Sequence, residues 1–394
     1  MEIRTVKQIE HLTDQVVMVR ADFNVPVEGG MVKEDYKIVK SLATIKFLIE
    51  KKARVILVSH LGRPEKSEPK YSLAPVRDVL EKMLQTQIKL FKLDEFDKLE
   101  KFLEDKMFVG QVVMLENIRF SPDEEKNTNG LAKNLSELAD LFVLDGFAVA
   151  HRNTASVSGV ARFIPAFAGM LLEKEIIGLS KATENPKKPF VVMLGGVKME
   201  TKIPVLKNLL PKADKILLGG GIANTFFAAK GFYMGQTLVD EAFKKEILSY
   251  AGKDKVIFPV DVVVGEKNGK NSKVVKIDQD FKVLSGQGVY DIGPETIKLF
   301  SEHIKDAETL VWNGAMGYFE QEPYQFGTYA VARLLASRAK GKAFGIAGGG
   351  ETVEVLEKLH LTESIDLVST GGGAMLEFLS GKELPGVKIV QNIL

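Results

Sequence analysis

The chain has 394 residues, enough for two domains, and its 45% hydrophobic and 27% charged content is the balance of a folded, non-fibrous protein. Lys and Arg total 53 against 52 Asp and Glu, and this near-neutral balance excludes a general nucleic-acid binder, which needs a strong positive excess. No cysteine is present, so disulfides, thiolate zinc sites, cysteine nucleophiles and cysteine-held iron–sulfur clusters are excluded together.

The N-terminal residues carry no apolar core of signal-peptide type, and no apolar run approaches the roughly 18–20 residues that cross a bilayer. A cytoplasmic protein without membrane partners is expected. Short apolar runs recur at 16–19, 55–58, 112–115, 141–144, 191–194, 216–218, 260–264, 310–312, 343–347 and 367–368. Most are uninterrupted and β-branched, as strands buried on both faces must be. Amphipathic stretches separate them. Ile38, Leu42, Ile45 and Ile49 share one helical face, as do Val76, Val79, Leu80 and Met83. Gly293-Pro294-Glu295-Thr296 has the proline and acid of a helix start. Alternating strands and helices predict an α/β fold with largely parallel sheets. Residues 173–183 read as a helix, followed by the Pro- and Lys-rich stretch Glu184-Asn185-Pro186-Lys187-Lys188-Pro189, which is a domain linker.

Polar clusters follow the strands directly, where parallel sheets place ligands. In the first half they are Arg20-Ala21-Asp22-Phe23-Asn24, Ser59-His60-Leu61-Gly62-Arg63, Glu116-Asn117-Ile118-Arg119 and Asp145 through His151-Arg152. A single arginine at a strand end is usually solvated or ion-paired. Arg20, Arg63, Arg119 and Arg152 at four corresponding ends predict one rim for a small, multiply anionic ligand, since guanidinium forks match phosphate and carboxylate oxygens. His60 and His151 could donate hydrogen bonds or move protons there. No histidine pair has metal-ligand spacing. In the second half glycines dominate: Gly195-Gly196 with Lys198 and Lys202, Gly219-Gly220-Gly221, Asn313-Gly314, Gly348-Gly349-Gly350 and Gly371-Gly372-Gly373. Glycine lets a backbone approach a phosphate, and a helix N-terminus aims free N–H groups at it. These loops predict a nucleotide site. No Walker-type G-x-x-x-x-G-K-[ST], no G-x-G-x-x-G and no G-x-S-x-G occurs.

Taken in order, Arg20 through Pro26, Ser59 through Pro64, Leu115 through Phe120, Lys198 with Lys202, Val311 through Glu320 and Ser369 through Gly373 resemble the phosphoglycerate kinase family over essentially the whole chain. The resemblance implies two Rossmann-like domains with mainly parallel sheets, joined by a helix and hinge. Residues 1–170, with the tail 381–394, would bind 3-phosphoglycerate or 1,3-bisphosphoglycerate. Residues 171–187 would form the linker helix and hinge, and 188–380 would bind ATP or ADP with Mg²⁺. By the same resemblance, Asp22 and Asn24 hold the glycerate, and His60, Arg63, Arg119 and Arg152 grip its non-transferred phosphate. Lys198 and Lys202 meet the transferring and nucleotide phosphates. Gly195, Gly219, Gly220, Gly293 and Asn313 belong to the nucleotide segments. Glu320 takes the ribose, and Gly349, Gly350, Glu351 and Thr352 take the phosphates and metal. Gly372 and Gly373 open a helix aimed at the transferring group. The implied protein is a hinge-bending monomeric glycolytic transferase.

Several positions depart from the family pattern; Asp145-Gly146-Phe147, Asn153-Thr154 and Ala315-Met316 read as tuning, and two others bear on catalysis. Lys37 stands where an arginine is usual beside the transferring phosphate, keeping the charge but not the planar fork. Glu351 stands where aspartate is usual, with its carboxylate one methylene further out and still able to meet Mg²⁺ through oxygen. They leave a low-activity ligand-binding or regulatory paralogue as the alternative.

Overall fold

The computed structural model describes residues 1–392; positions 393 and 394, the end of the expected C-terminal tail, lie outside the described residues. The chain divides into two compact units, one from Met1 to Ile177 joined by the segment from Glu383, the other Gly178–Lys382.

The first unit is built on a six-stranded parallel sheet whose spatial order is Lys89–Phe91, Val112–Leu115, Arg54–Val58, Val16–Ala21, Leu141–Asp145, Ala166–Ala168. Its central strands are buried on both faces, which is why their sequences read as unbroken apolar runs. The Tyr36–Glu50 helix buries Ile38, Ile45 and Leu48 against this sheet, and Val76 and Leu80 do the same from the Ala74–Leu84 helix. The C-terminal segment completes this unit: Ile3 pairs antiparallel with Gln391, the Arg4 amide donates to the Val390 carbonyl at 2.7 Å, and Val387 and Val390 are buried.

The second unit has its own six-stranded parallel sheet, in the order Val256–Ile257, Lys215–Leu218, Phe190–Leu194, Thr309–Asn313, Phe344–Gly348, Leu367–Ser369. Numbered along the chain this is 3-2-1-4-5-6, the doubly wound order. The run at 260–264 does not join it. Asp261–Gly265 instead pairs antiparallel with Lys273–Lys276 and Gly288–Ile292 in a separate three-stranded sheet. Residues 266–272 are too few for a parallel crossover, which takes about a dozen residues or more, so the chain can only turn back. The strands Lys89–Phe91, Ala166–Ala168 and Val256–Ile257 left no sequence signal, being two or three residues long. Among the described residues no helix is long and apolar enough to cross a membrane.

In each sheet the winding reverses beside the first strand, the position where the loops of such sheets generally part to leave a crevice at the carboxyl ends. In the first unit this point lies between Val16–Ala21 and Leu141–Asp145; in the second it lies between Phe190–Leu194 and Thr309–Asn313.

The Met170–Thr183 helix begins in the first unit and ends in the second. Leu172, Ile176, Leu179 and Ala182 form its buried face. Its first amides are satisfied by side chains: Met170 N–H donates to Thr44 Oγ1 at 2.8 Å, and Leu171 and Leu172 N–H donate to Asp145 Oδ1 at 2.9 and 3.3 Å. Asp145 is fully buried, and that burial raises its carboxyl to about 7 against the opposing pull of Thr44 and the two amides. A raised carboxyl pKa means the folded chain holds this proton after the unfolded chain has lost it. Stability from this site is therefore lost as pH rises from about 4 toward 7. Asparagine keeps the accepting oxygen without the charge. Asp145→Asn should match wild type in melting temperature near pH 4 and exceed it near pH 8; a difference that does not change with pH would contradict this account.

Candidate active site

At the reversal point of the first unit, Asp22 is the centre of a cluster of cations. The Lys37 ammonium, from the first turn of its helix, donates to Asp22 Oδ2 at 2.7 Å and to the Asn24 carbonyl at 3.3 Å. Burial alone would raise the Asp22 carboxyl, but the Lys37 charge and hydrogen bond, with the Asn24 amide, hold it below its ordinary value. Asn24 is exposed, and its Oδ1 accepts from the Gly62 amide at 2.8 Å, tying two loops together. Arg63 follows on that loop, exposed and in no salt bridge among the described residues. Arg119 donates from Nη1 to the Gly62 carbonyl at 2.6 Å and pairs through Nη2 with Glu125 Oε1 at 3.1 Å. Arg152 reaches the same Glu125 oxygen at 4.0 Å, while its buried Nε has no partner. Glu125 is exposed and, among the described residues, is the only carboxylate within ion-pairing distance of either guanidinium, so this is a patch with cationic hydrogen-bonding capacity to spare.

His60 is buried behind this patch. Burial drives its pKa well below the usual value, and the Arg20, Arg119 and Arg152 charges push the same way while Asp22 opposes them. Arg20 does not reach the rim as the sequence suggested. It is buried, with Nε donating to Ser156 Oγ at 2.8 Å and Nη2 lying 3.2 Å from His60 Nδ1. A strand residue whose side chain enters the layer between sheet and helices cannot also face the open end. The structure thus brings together Asp22, Asn24, Lys37, His60, Arg119 and Arg152 with Arg63 at the margin.

At the reversal point of the second unit lies a pocket of about 400 Å³. One side is glycine backbone, Gly196, Gly220 and Gly221; the other is an apolar wall of Leu238, Val262, Val289, Ile292, Met316 and Phe319. Glu320 and Glu351 line it as carboxylates. Burial raises the Glu320 carboxyl, and Glu351 and Glu354 add to the shift. Such an apolar slot beside bare backbone amides suits a flat heterocycle carrying phosphates.

The lysines divide their work. Lys198 is exposed at the start of the Met199–Leu209 helix. Lys202, one turn on, is buried and donates to both the Asn313 side-chain oxygen and the Asn313 carbonyl. Asn313 Nδ2 donates in turn to the Gly348 carbonyl at 2.7 Å, linking Lys202 to the Gly349–Gly350 loop. Thr352 is buried and accepts the Gly314 amide at 2.8 Å, while Glu351 Oε2 lies 3.4 Å from the Ala315 amide. A single carboxylate beside amides that can face phosphates fits a magnesium ion arriving with a nucleotide, since Mg²⁺ keeps waters and phosphate oxygens as most of its ligands. Among the described residues no group of three or more acidic or histidine side chains could hold a metal alone. Two helix starts adjoin here: a Cβ on Gly372 would sit 3.5 Å from Gly349 Cα, and Gly350 and Gly373 face open space.

Gly195 and Gly219 serve packing beneath the pocket, pressed against Ala315 and Met316. Gly293 is not part of the lining. It caps the Pro294–Ile304 helix and packs on the Asp261 carboxylate, which accepts the Glu295 and Thr296 amides at 3.0 and 2.7 Å. Sequence reasoning missed the part of the apolar wall made by Leu238, Val262, Val289 and Ile292, which come from a loop and the short antiparallel sheet and carry no motif.

Known proteins resemble the chain over nearly its whole length. The phosphoglycerate kinase family profile matches residues 6–382. A phosphoglycerate kinase of Pseudothermotoga lettingae is 45% identical over 395 aligned residues, covering 98% of each chain. The solved phosphoglycerate kinase of Coxiella burnetii superposes with a TM-score of 0.88 at 41% identity, covering 98% of each chain. That of Pyrococcus horikoshii gives 0.83 at 32%, covering 99% of this chain and 98% of its own.

Burial pushes the Lys202 ammonium down to about 8, with Lys198 adding to the drop and Glu351 opposing it. Side-chain NMR of the ligand-free protein should contain one lysine titrating near pH 8, absent in Lys202→Met. A wild type whose lysines all titrate near about 10 would contradict the buried position.

Proposed function

The chain belongs to the phosphoglycerate kinase family, and from that premise we propose how its residues carry out the reversible transfer of a phosphoryl group between 1,3-bisphosphoglycerate and ADP. In the ATP-forming direction a β-phosphate oxygen of ADP attacks the acyl phosphorus. The bond from phosphorus to the acyl oxygen breaks, and 3-phosphoglycerate leaves as a carboxylate. The observation that carries this reading is the family match over nearly the full length. A paralogue of low turnover is not favoured by that extent of identity.

The first-unit cluster is proposed to hold the glycerate ligand. Arg63, Arg119, Arg152 and His60 take its non-transferred phosphate, and Asp22 and Asn24 orient the glycerate. Lys37 neutralises charge at the reacting end. It does so as a point charge held by Asp22 at 2.7 Å, which supplies potential without a two-pronged grip. The second-unit pocket is proposed to hold ATP or ADP. The base takes the apolar wall, Glu320 the ribose, and Gly220, Gly349, Gly350 and Thr352 the phosphate side. Mg²⁺ enters with the nucleotide as part of the substrate, and Glu351 offers it an oxygen. Asn313 positions Lys202.

Phosphoryl transfer needs alignment and charge stabilisation more than covalent chemistry. Lys198, Lys202, Lys37 and the free amides at Gly372 and Gly373 are the groups proposed to stabilise the equatorial oxygens. A neutral fraction of Lys202 at cellular pH makes its charge respond to an arriving phosphate, which favours the ammonium form. The proposal includes hinge bending at 171–187, since in-line transfer requires both ligands to meet with water excluded. A cytoplasmic monomer completes the reading.

A coupled steady-state assay with 3-phosphoglycerate, ATP and Mg²⁺ tests the activity. Wild type should turn over, Lys37→Arg should keep activity, and Lys37→Met should lose on the order of a hundredfold in kcat. Absence of turnover in wild type with either nucleotide direction would refute the reading. Gly373 faces open space, so Gly373→Ala should leave the melting temperature unchanged while kcat falls at least about tenfold by blocking the amides. Full activity in that variant would remove this helix start from the mechanism.

A further inference from the structure

Behind His60 lies a chain of polar groups, Glu124, Ser156 and Arg20, that the proposed function does not use. Glu124 is 2% exposed, although it sits in the charged run Asp123-Glu124-Glu125-Lys126. Its Oε2 accepts the Ser156 amide at 2.8 Å and its Oε1 accepts the Ser156 hydroxyl at 2.7 Å. Ser156 Oγ in turn accepts Arg20 Nε at 2.8 Å. Arg20 also donates from Nη1 to its neighbour's carbonyl at Ala21, and Nη2 lies 3.2 Å from His60 Nδ1.

The chemistry of these groups gives the chain one direction. An ionised carboxylate only accepts, so the Ser156 hydroxyl must point its proton at Glu124 and present its lone pairs to Arg20. A guanidinium only donates, so His60 Nδ1 must be the acceptor. The ring is neutral, and its single proton must then lie on Nε2. We propose that Glu124 and Ser156 are positioning residues which, through Arg20, fix His60 in the Nε2–H tautomer and so present the glycerate phosphate with a hydrogen-bond donor instead of a lone pair. A lone pair facing a phosphate oxygen would repel it, so the tautomer decides whether His60 helps or hinders binding.

The buried position of Glu124 also fits this role. Removed from water, a carboxylate is costly unless a nearby cation and hydrogen bonds answer it. Here the two Ser156 bonds answer it directly, and the Arg20 charge lies one hydroxyl away. The same arrangement locks the guanidinium plane, since Nε and Nη1 are both committed and only Nη2 remains for the imidazole.

The effect on substrate rests on the proposed function, but the tautomer does not, so the two are tested apart. Nitrogen-15 NMR of the ligand-free protein, with His60 assigned by loss of its signals in His60→Asn, should find wild-type His60 neutral and protonated at Nε2. Ser156→Ala should break the link to Arg20, give His60 a mixture of tautomers, and raise the KM for 3-phosphoglycerate at least about tenfold, with the KM for ATP within about twofold. Glu124→Gln should move both readings the same way. A wild-type ring protonated at Nδ1 overturns the proposal whatever the variants do, including variants that fail to fold. Folded variants with the wild-type His60 spectrum and unchanged KM also overturn it, since a purely structural role would lower only the melting temperature. If wild type shows no turnover, the functional reading falls and the His60 spectrum still decides the relay.

Discussion

Two backbones pass each other at the reversal point of the second sheet with no room for a methyl group between them. The Gly195 amide donates to the Asn313 carbonyl at 3.0 Å, and the Gly196 amide donates to the Ala315 carbonyl at 2.7 Å. A Cβ on Gly195 would fall onto the Ala315 carbonyl oxygen, and one on Gly314, whose φ is +95°, would fall onto Gly195. The next layer repeats the contact: Gly220 donates to the Met316 carbonyl and Gly221 to the Gly196 carbonyl, both at 2.9 Å. Because these turns lie so close, the glycine backbone can form one side of the pocket. Met316 is then held where it can join the apolar wall, and Thr352 can reach across to the Gly314 amide. The pocket is a consequence of backbone contact more than of side-chain choice.

The first unit solves a different problem. In the proposed function its cluster attracts a multiply charged anion, and its own cations must not repel one another before the ligand arrives. The structure places carboxylates at graded depth for this purpose. Glu124 lies buried opposite Arg20, Asp22 lies buried against Lys37, and Glu125 is exposed between Arg119 and Arg152. The exposed one is the one an incoming phosphate can displace, because a surface ion pair holds only weakly. The buried ones stay and keep their partners oriented.

The longer strands of both sheets were legible because a strand covered on both faces must be an uninterrupted apolar run, as at 16–19 and 191–194. Once those runs are placed, the polar residues after them, Asp22, His60, Arg119, Arg152 and Lys198, are placed too. Arg20 was read onto the rim because it ends a strand, yet the alternation of a strand turns it inward. Glu124 was invisible for a similar reason: a run of charges reads as a solvated helical turn, and nothing local marks the one member that points into the protein. The wall of the pocket was invisible because Val262, Val289 and Ile292 converge only through antiparallel pairing between segments about thirty residues apart. Gly293 carried a strong helix-start signal, but that signal reports only the start of a helix. It does not tell whether the start faces a ligand or, as here, the Asp261 carboxylate.

The pairing of Ile3 with Gln391 and of Arg4 with Val390 means that the first unit is assembled from the two far parts of the polypeptide. The second unit, Gly178–Lys382, is one continuous stretch. Whatever the order in which the rest folds, the first unit lacks Val387 and Val390 until the segment from Glu383 has been made and can dock. Docking of that segment seats Gly386 directly on Leu144 and Ala150, where a Cβ would not fit, and its amide donates to the Ala150 carbonyl at 2.8 Å.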